Sequence, residues 1–549
     1  MKLRERVAPL IRGDVVDDGE TLTKYSRDTS IFERRPTVVV FPKDKDDVAA
    51  VVKFVAEAKA KGENVSLAPR SAGTDMTGGP LTDSIALVFT KYMNHIGEIG
   101  ESWAETEPGV YYRDFEKATL AKNGRLLPSY PASRELCALG GMIGNNSGGE
   151  LTLLYGQTRR YVRALDVVLS DGSVATFRPL REDELKEKEG LHTFEGEIYR
   201  NVRALVDENA KEIAAARPDV SKNSAGYALW NVRDSERETF DLTQLISGSQ
   251  GTLAIVTKAT LGLVRPKPDK AMLVVFLKDI AILPEIVRRV LELKPESFES
   301  YDDQTFRLAV RFLPQVVRHF GVIEMIKLAF AFIPEMFMVV SGGVPKLVLM
   351  AEFAEDTEDA ARGKARAARA LLHDLPVGTK IAASKTAAAK YWTIRRESFS
   401  LLRKNLRGLY AAPFIDDLVV HPADYPEFLP ELESILEKRD LIYTIAGHIG
   451  DADFHIIPLM DLGRKDARAT IMELEREVYE LVAKFHGSIT GEHNDGIVRT
   501  PYLPLMYGEK VCALFAEIKT IFDPQNILNP GKKVGGTLDD ITRSMIQHS

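Results

Sequence analysis

Two short segments concentrate the side chains best suited to chemistry: GHIGDADFH, which carries His448 and His455, and TGEHNDG, which carries Glu492 and His493. A central Gly-Asp pair lets the first segment fold back so that both imidazoles point at one centre. Glu492 then arrives from a second loop, beyond a helical stretch that ends near Gly487. Two imidazoles and one carboxylate with open positions suit a catalytic divalent metal, of zinc type, with manganese or iron compatible with the same donors. A single histidine would read as a packed or surface imidazole. Two loops, each combining His with Gly and acidic residues, weaken that reading.

Three glycine-rich stretches form a second chemical signal: PRSAGTDMTGG at 69–79, LGGMIGNNSGG at 139–149 and SGSQGT at 247–252. Glycine lets the backbone approach a ligand closely, so consecutive N–H groups can converge on a pyrophosphate. The hydroxyls of Ser71, Thr74 and Ser147 add donors. Any one of these loops alone is equally a tight turn. None matches the G-x-G-x-x-G fingerprint of a Rossmann site, so a different dinucleotide fold is expected.

The elements that must position these residues alternate short Val/Ile/Leu runs with helical stretches. PTVVVFP at 36–42 predicts a strand, and Val48, Val51, Val52 and Val55 follow at helical spacing behind Asp46 and Asp47. Strand-like runs recur at IALVF, ALDVVLSDGSVATF and TLAIVTKATLGLV. The charged interval 180–215 reads as solvated helix and loop. RPKPD at 265–269 is the best boundary; beyond it AMLVVFL, KLVLMAEF and YTIAG alternate with helices such as 469–486. The fold class is α+β, in two domains.

Composition narrows the function classes. A chain of 549 residues, 45% hydrophobic, is large enough for two or three domains. Its 72 basic residues are interleaved with 79 acidic ones for a net charge of -7, which argues against a nucleic-acid footprint. The two cysteines, Cys137 and Cys512, cannot ligate an iron–sulfur cluster, and they fit a reducing cytoplasm. MKLRERVAPLIRGDVVDD lacks the apolar region of a secretory signal, so export is not expected. The apolar stretch 322–350 is broken by Lys327, Pro334, Glu335, Pro345 and Lys346, short of a membrane span.

The order and content of the glycine stretches, with YGQTRRYVRALDVVLSDG at 155–172, KNSAGYAL at 222–229 and FDPQNILNPGK at 522–532, resemble the vanillyl-alcohol oxidase and p-cresol methylhydroxylase flavoprotein superfamily. More narrowly, the chain resembles its FAD-linked D-lactate, glycolate and D-2-hydroxyglutarate dehydrogenase branch, from about residue 35 to 533. The resemblance implies an N-terminal arm (1–34) and a PCMH-type FAD-binding domain (35–266). A substrate and metal domain of the FAD-linked oxidase C-terminal type follows (267–533), its last segment returning to the FAD domain, and then a tail (534–549). It implies that Arg70, Ser71, Ala72, Gly73 and Thr74 wrap the FAD pyrophosphate, with Gly140, Gly141, Gly144, Asn145 and Ser147 lining the adjoining strand–loop. Gly248, Gly251, Thr252 and Asn529 are placed near the cofactor. Covalent flavin attachment in the superfamily commonly uses His or Cys. The first glycine loop has neither, so FAD is expected to be non-covalent, with Cys137 the one nearby exception.

In the resembling dehydrogenases GH-x-GDGN-x-H supplies two metal histidines, and the Glu-His of TGEHG supplies the third ligand and the base. That assigns His448, His455 and Glu492 to the metal and His493 to proton abstraction. The chain departs at Ala452 and Asp453, where the pattern has Gly-Asn, and at Asn494, where it has Gly. A positive φ at position 452 would cost Ala on the order of 1 kcal/mol more than Gly. Asp453 adds negative charge near the cation, tightening metal binding or disfavouring an anionic substrate.

Oxidising a 2-hydroxy acid requires a proton to leave the hydroxyl and a hydride to leave the carbon. A chelating metal, a neutral His493 and flavin N5 meet those needs. In an extended segment Glu492 would face the metal and His493 the substrate. Arg395 and Arg396, in YWTIRRES, resemble the family segment that binds the substrate carboxylate. Arg396 aligns best, and the alternative is a surface ion pair. The electron acceptor is expected to be external, a quinone or an electron-transfer protein. Phe306–Met350 is a candidate for peripheral membrane contact or equally for buried core; a homodimer is compatible with the resemblance. Two other functions fit the same residues: an oxygen-using oxidase, and a non-catalytic FAD-binding subunit of a larger complex.

Overall fold

Val38–Phe41 is buried along its whole length, as a strand paired on both edges and covered on both faces must be. It pairs antiparallel with Asp14–Val16 and parallel with Ile85–Val88, and Leu67–Arg70 adds in parallel at the edge. Helix Lys45–Ala60 starts where the Asp44 carboxylate accepts from the backbone N–H groups of Asp46 and Asp47. It turns Val48, Val51, Val52 and Val55 into the core of this sheet. The first glycine loop follows Arg70, at the carboxyl end of parallel strands, where ligands of open α/β sheets gather. The computed structural model describes residues 2–303, 344–382, 387–395, 409–439 and 441–546.

A five-stranded antiparallel sheet completes the first domain, in the order Ile96–Ile99, Trp103–Thr106, Ile255–Gly262, Val162–Val168, Val174–Phe177. Two expectations change here. The second glycine stretch is not strand and loop but a helix, Leu139–Asn145, closed by Asn146 at φ 53°. Leu139, Met142 and Ile143 fall at helical spacing and are buried, and that packing outweighs the roughly 1 kcal/mol cost of each helical glycine. The charged interval 180–215 is helical as expected, yet Phe194–Glu208 is a packed amphipathic helix that buries Ile198, Tyr199, Val202, Leu205 and Val206.

The second domain is built on a large antiparallel sheet, ordered Gly378–Ala382, Asp269–Leu277, Leu347–Glu355, Ser297–Asp302, Ile442–His448, Asp453–Met460. Tyr410–Ala411 and Leu418–Val419 both pair with Asp453–Met460. One face packs on helices Leu283–Leu291, Glu358–Leu371, Tyr425–Glu437 and Ala467–Lys484, and the other meets Tyr391 and Ile394. Helix Leu503–Phe522 then sends Phe515, Ile518 and Phe522 into the core of the first domain, and Leu528 bridges in parallel to Leu67. Among the described residues no helix is long and apolar enough to cross a membrane. Most of the Phe306–Met350 segment, including Phe337 and Met338, lies outside the described residues, as does Arg396.

Candidate active site

The hairpin of Ile442–His448 and Asp453–Met460 sets His448 opposite Asp453 and Ala446 opposite His455. Its turn, Ile449–Asp451, closes through Ala452 at φ 55° and ψ 34°. The left-handed backbone on which the cost of alanine depends is therefore present. The His448 and His455 rings lie 5.1 Å apart at 87°, and His455 stacks on His493 at 5.2 Å and 25°.

Glu492 and His493 reach the same place by a bend rather than by strand alternation. The Asp417 carboxylate accepts from the backbone N–H of Glu492 at 3.0 and 3.1 Å, from that of His493 at 2.8 Å, and from the Thr490 hydroxyl. Held this way, both side chains turn toward one cavity instead of to opposite sides of an extended segment.

The nitrogens are sorted by their partners. His448 Nδ1 donates to Glu299 Oε1 at 2.6 Å and His455 Nδ1 to Asp416 Oδ1 at 3.1 Å, while His493 Nδ1 lies 3.0 Å from Asp416 Oδ2. At His448 and His455 the hydrogen bond to a carboxylate fixes the tautomer and leaves Nε2 with its lone pair free for a metal. The Nε2 atoms of His448, His455 and His493 lie 3.4, 3.8 and 4.0 Å from Glu492 Oε1. His448, Asp453, His455 and Glu492 each offer a ligand atom within 4.8 Å of the others.

Buried carboxylates outnumber the permanent cations at the site. Glu299, Asp416, Asp417, Asp451, Asp453 and Glu492 are all buried, against the cations Lys222, Arg395 and Arg499. Lys222, fully buried, lies 3.1 Å from Glu492, 3.2 Å from Asp453 and 3.5 Å from Asp451. Burial disfavours imidazolium at His448, but Glu299 and Glu492 outweigh it and push the group up to about 10. Burial likewise lowers His493, and Asp417 and Asp416 push it up to about 10. Asp416 is pushed up by burial and held well below its ordinary range by His455 and His493. The carboxylates thus demand cationic charge at the imidazoles, which protons or a dication can supply. The donor set fits the dication.

One cavity of about 940 Å³ joins this cluster to the glycine stretches. Arg70, Ser71, Ala72, Gly73, Thr74, Gly140, Gly141, Gly144, Asn145, Ser147 and Gly251 line it, together with Arg395, His448, His455, Glu492 and His493. A Cβ at Gly141 or Gly144 would come no closer than 3.9 Å to a protein atom, so these glycines present bare backbone to the cavity, as a cradle for FAD requires. Three expected cofactor residues stand behind the wall. Gly248 accepts from Asn494 and donates to Ile143, Thr252 pairs with Tyr227, and Asn529 ties Gly79 to Gln250. The Arg70 guanidinium is turned beneath its loop, donating to the Arg27 carbonyl at 2.7 Å. Arg395, 17% exposed, lies 3.4 Å from Glu299.

Five residues of the site carried no role in the sequence reading: Lys222, Glu299, Asp416, Asp417 and Arg499. The adjacent acids inside the apolar run FIDDLVV were a usable signal, because acids are rarely buried without a partner. Lys222 opens KNSAGYAL, whose resemblance was visible without its chemistry. Glu299, one acid in a strand, gave no signal.

Residues 36–178 match the FAD binding domain family and residues 266–533 match the family of FAD linked oxidases, C-terminal domain. The chain is 30% identical over 529 residues to D-2-hydroxyglutarate dehydrogenase of Pseudomonas putida, covering 95% of this chain and 50% of that protein. It thus spans about half the length of the first relatives it matches. It is 27% identical over 519 residues to glycolate oxidase subunit GlcD of Bacillus subtilis, covering 92% of this chain and 91% of that one. The solved structure of p-cresol methylhydroxylase with substrate bound superposes with a TM-score of 0.66 at 16% identity, over 97% of this chain and 96% of that one. With the two domain families matched in order along a chain of the p-cresol methylhydroxylase fold, the protein belongs to the FAD linked oxidases.

Proposed function

We propose that this chain oxidises a D-2-hydroxy acid to the 2-oxo acid, with FAD held non-covalently and a divalent metal held by His448, His455 and Glu492. The observation that carries this reading is the shared cavity: Gly141 and Gly144 open on the same space as the three histidines. The names of the two relatives above, one acting on D-2-hydroxyglutarate and one on glycolate, support a hydroxy-acid substrate.

When bound, the flavin supplies a hydride acceptor and the dication a Lewis acid that lowers the pKa of a hydroxyl. His493 is the group to take the hydroxyl proton, and Asp416 beside its Nδ1 orients the ring and stabilises the resulting imidazolium. The ring must start neutral, which needs positive charge in the cluster to offset Asp416 and Asp417. Arg395 suits the substrate carboxylate because a guanidinium binds bidentately and stays charged; Glu299 anchors it beside His448. Cys137 lines the cavity, but burial pushes its thiol up to about 12, away from the thiolate needed for covalent attachment. Two cysteines cannot hold an iron–sulfur relay within these 549 residues, so electrons leave them to an acceptor outside this stretch, a quinone or an electron-transfer protein.

The test is anaerobic mixing of the FAD-loaded protein with D-lactate, D-2-hydroxyglutarate, glycolate and larger 2-hydroxy acids. Bleaching of the flavin absorbance by one of them is expected. No bleaching by any, with FAD and metal both bound, refutes the reading.

A further inference from the structure

Asp453 is where the metal loop departs from GH-x-GDGN-x-H by gaining a charge. It is 0% exposed and lies directly across the hairpin from His448. Its two oxygens have different surroundings. Oδ2 accepts from Lys222 at 3.2 Å; Oδ1 is buried with no hydrogen-bond partner among the described residues. An unmatched buried carboxylate oxygen is costly to keep. Lys222 does not resolve the imbalance, because its one charge is shared with Glu492 and Asp451. A ligand atom of Asp453 lies within 4.8 Å of those of His448, His455 and Glu492, so a cation held by those three is within its reach.

We infer that Asp453 is a fourth protein ligand to the divalent cation, one oxygen turned to the metal and the other held by Lys222. The inference rests on the metal reading given above. An asparagine at this position has one acceptor oxygen in place of two and carries no charge, so it would serve Lys222 and the metal together less well than a carboxylate. The aspartate makes a set of two imidazole nitrogens and two carboxylate oxygens. Such a set favours oxygen-accepting cations such as manganese(II) more than a set with one carboxylate does.

Asp453→Asn is nearly isosteric and tests this directly. Apparent dissociation constants for manganese(II) and zinc(II) are measured on the FAD-loaded protein in competition with a chromophoric chelator. The variant is expected to weaken manganese by about 10- to 100-fold and zinc by less, with FAD content and the melting temperature in excess chelator unchanged. Equal affinity for both ions in variant and wild type overturns the inference and leaves Asp453 as a partner of Lys222 alone. Should the variant not fold, crystals of the manganese-loaded wild type decide by anomalous scattering. An Asp453 oxygen at roughly 2.0–2.2 Å from the metal supports the inference, and an intervening water overturns it. A wild type that binds neither ion stoichiometrically overturns the underlying metal reading as well, and so is distinct from a metal-loaded protein whose Asp453 stands apart.

Discussion

His493 and Glu492 are neighbours in the chain with different tasks, and a substitution can separate them. Asn at 493 keeps polarity but cannot accept a proton, so His493→Asn is expected to slow flavin reduction by about 100-fold or more while FAD and metal stay bound. Stopped-flow absorbance with metal analysis measures both; an unchanged rate removes His493 from the chemistry. Ala452 is a quieter case. Its left-handed backbone costs about 1–2 kcal/mol relative to glycine. Ala452→Gly also deletes a fully buried methyl worth about 0.8 kcal/mol and adds about 0.4–1 kcal/mol of unfolded-chain entropy. The terms nearly cancel, so the melting temperature should move by no more than about 2 °C. At this scale His448, His455 and Glu492 were legible because polar residues beside glycine stand out in sequence. Glu299 and Lys222 were not, since the contacts that give them meaning span 149 and 270 residues.

The helix Leu139–Asn145 shows how an element can mislead. Its glycines suggested loop, whereas the spacing of Leu139, Met142 and Ile143 decided helix. The simple strands, Val38–Phe41 and the Val162–Val168 hairpin among them, were legible because β-branched runs between turn residues have few alternatives. The helix also separates two adjacent glycines. A Cβ at Gly140 would sit 2.6 Å from both Ser71 Oγ and Pro108 Cβ, so Gly140→Ala should destabilise the fold. At Gly141 the nearest protein atom is 3.9 Å away. Gly141→Ala should therefore raise thermal stability of the FAD-free protein by up to about 1 kcal/mol through helix propensity and yet weaken FAD binding, by about 10-fold on the order-of-magnitude cost of losing 1.4 kcal/mol. Differential scanning fluorimetry and flavin titration report the two effects separately. Tight FAD binding in this variant would place the cofactor away from that wall.

The whole molecule closes on its site from both domains. Gln157 and Ser224, from the first, donate to the Gly491 carbonyl at 2.8 Å beside Glu492, and a Cβ on Gly148 would meet Glu492 Oε2 at 2.8 Å. The C-terminal segment completes the closure, and it buries Lys532 at 2% exposure with its Nζ donating to the Leu81 carbonyl at 2.7 Å. Burial, with Arg34 nearby, depresses this ammonium to about 7, against about 10.4 in an unfolded chain. Between those values the unfolded state binds more protons, so this group makes stability rise with pH from about 7 to about 10.4; below 7 both states carry the charge and the full burial penalty applies. Lys532→Met removes a penalty on the order of 4 kcal/mol and leaves the Leu81 carbonyl unmatched at about 1–3 kcal/mol. The variant should therefore be the more stable at pH 7 and lose that advantage as pH approaches 10. Denaturant midpoints of the two proteins across this range test it, since Lys533 and other titrating groups contribute to both and subtract out. A difference that does not change with pH would mean that Lys532 keeps its proton in the folded state, and that the C-terminal closure holds a buried charge rather than a neutral amine.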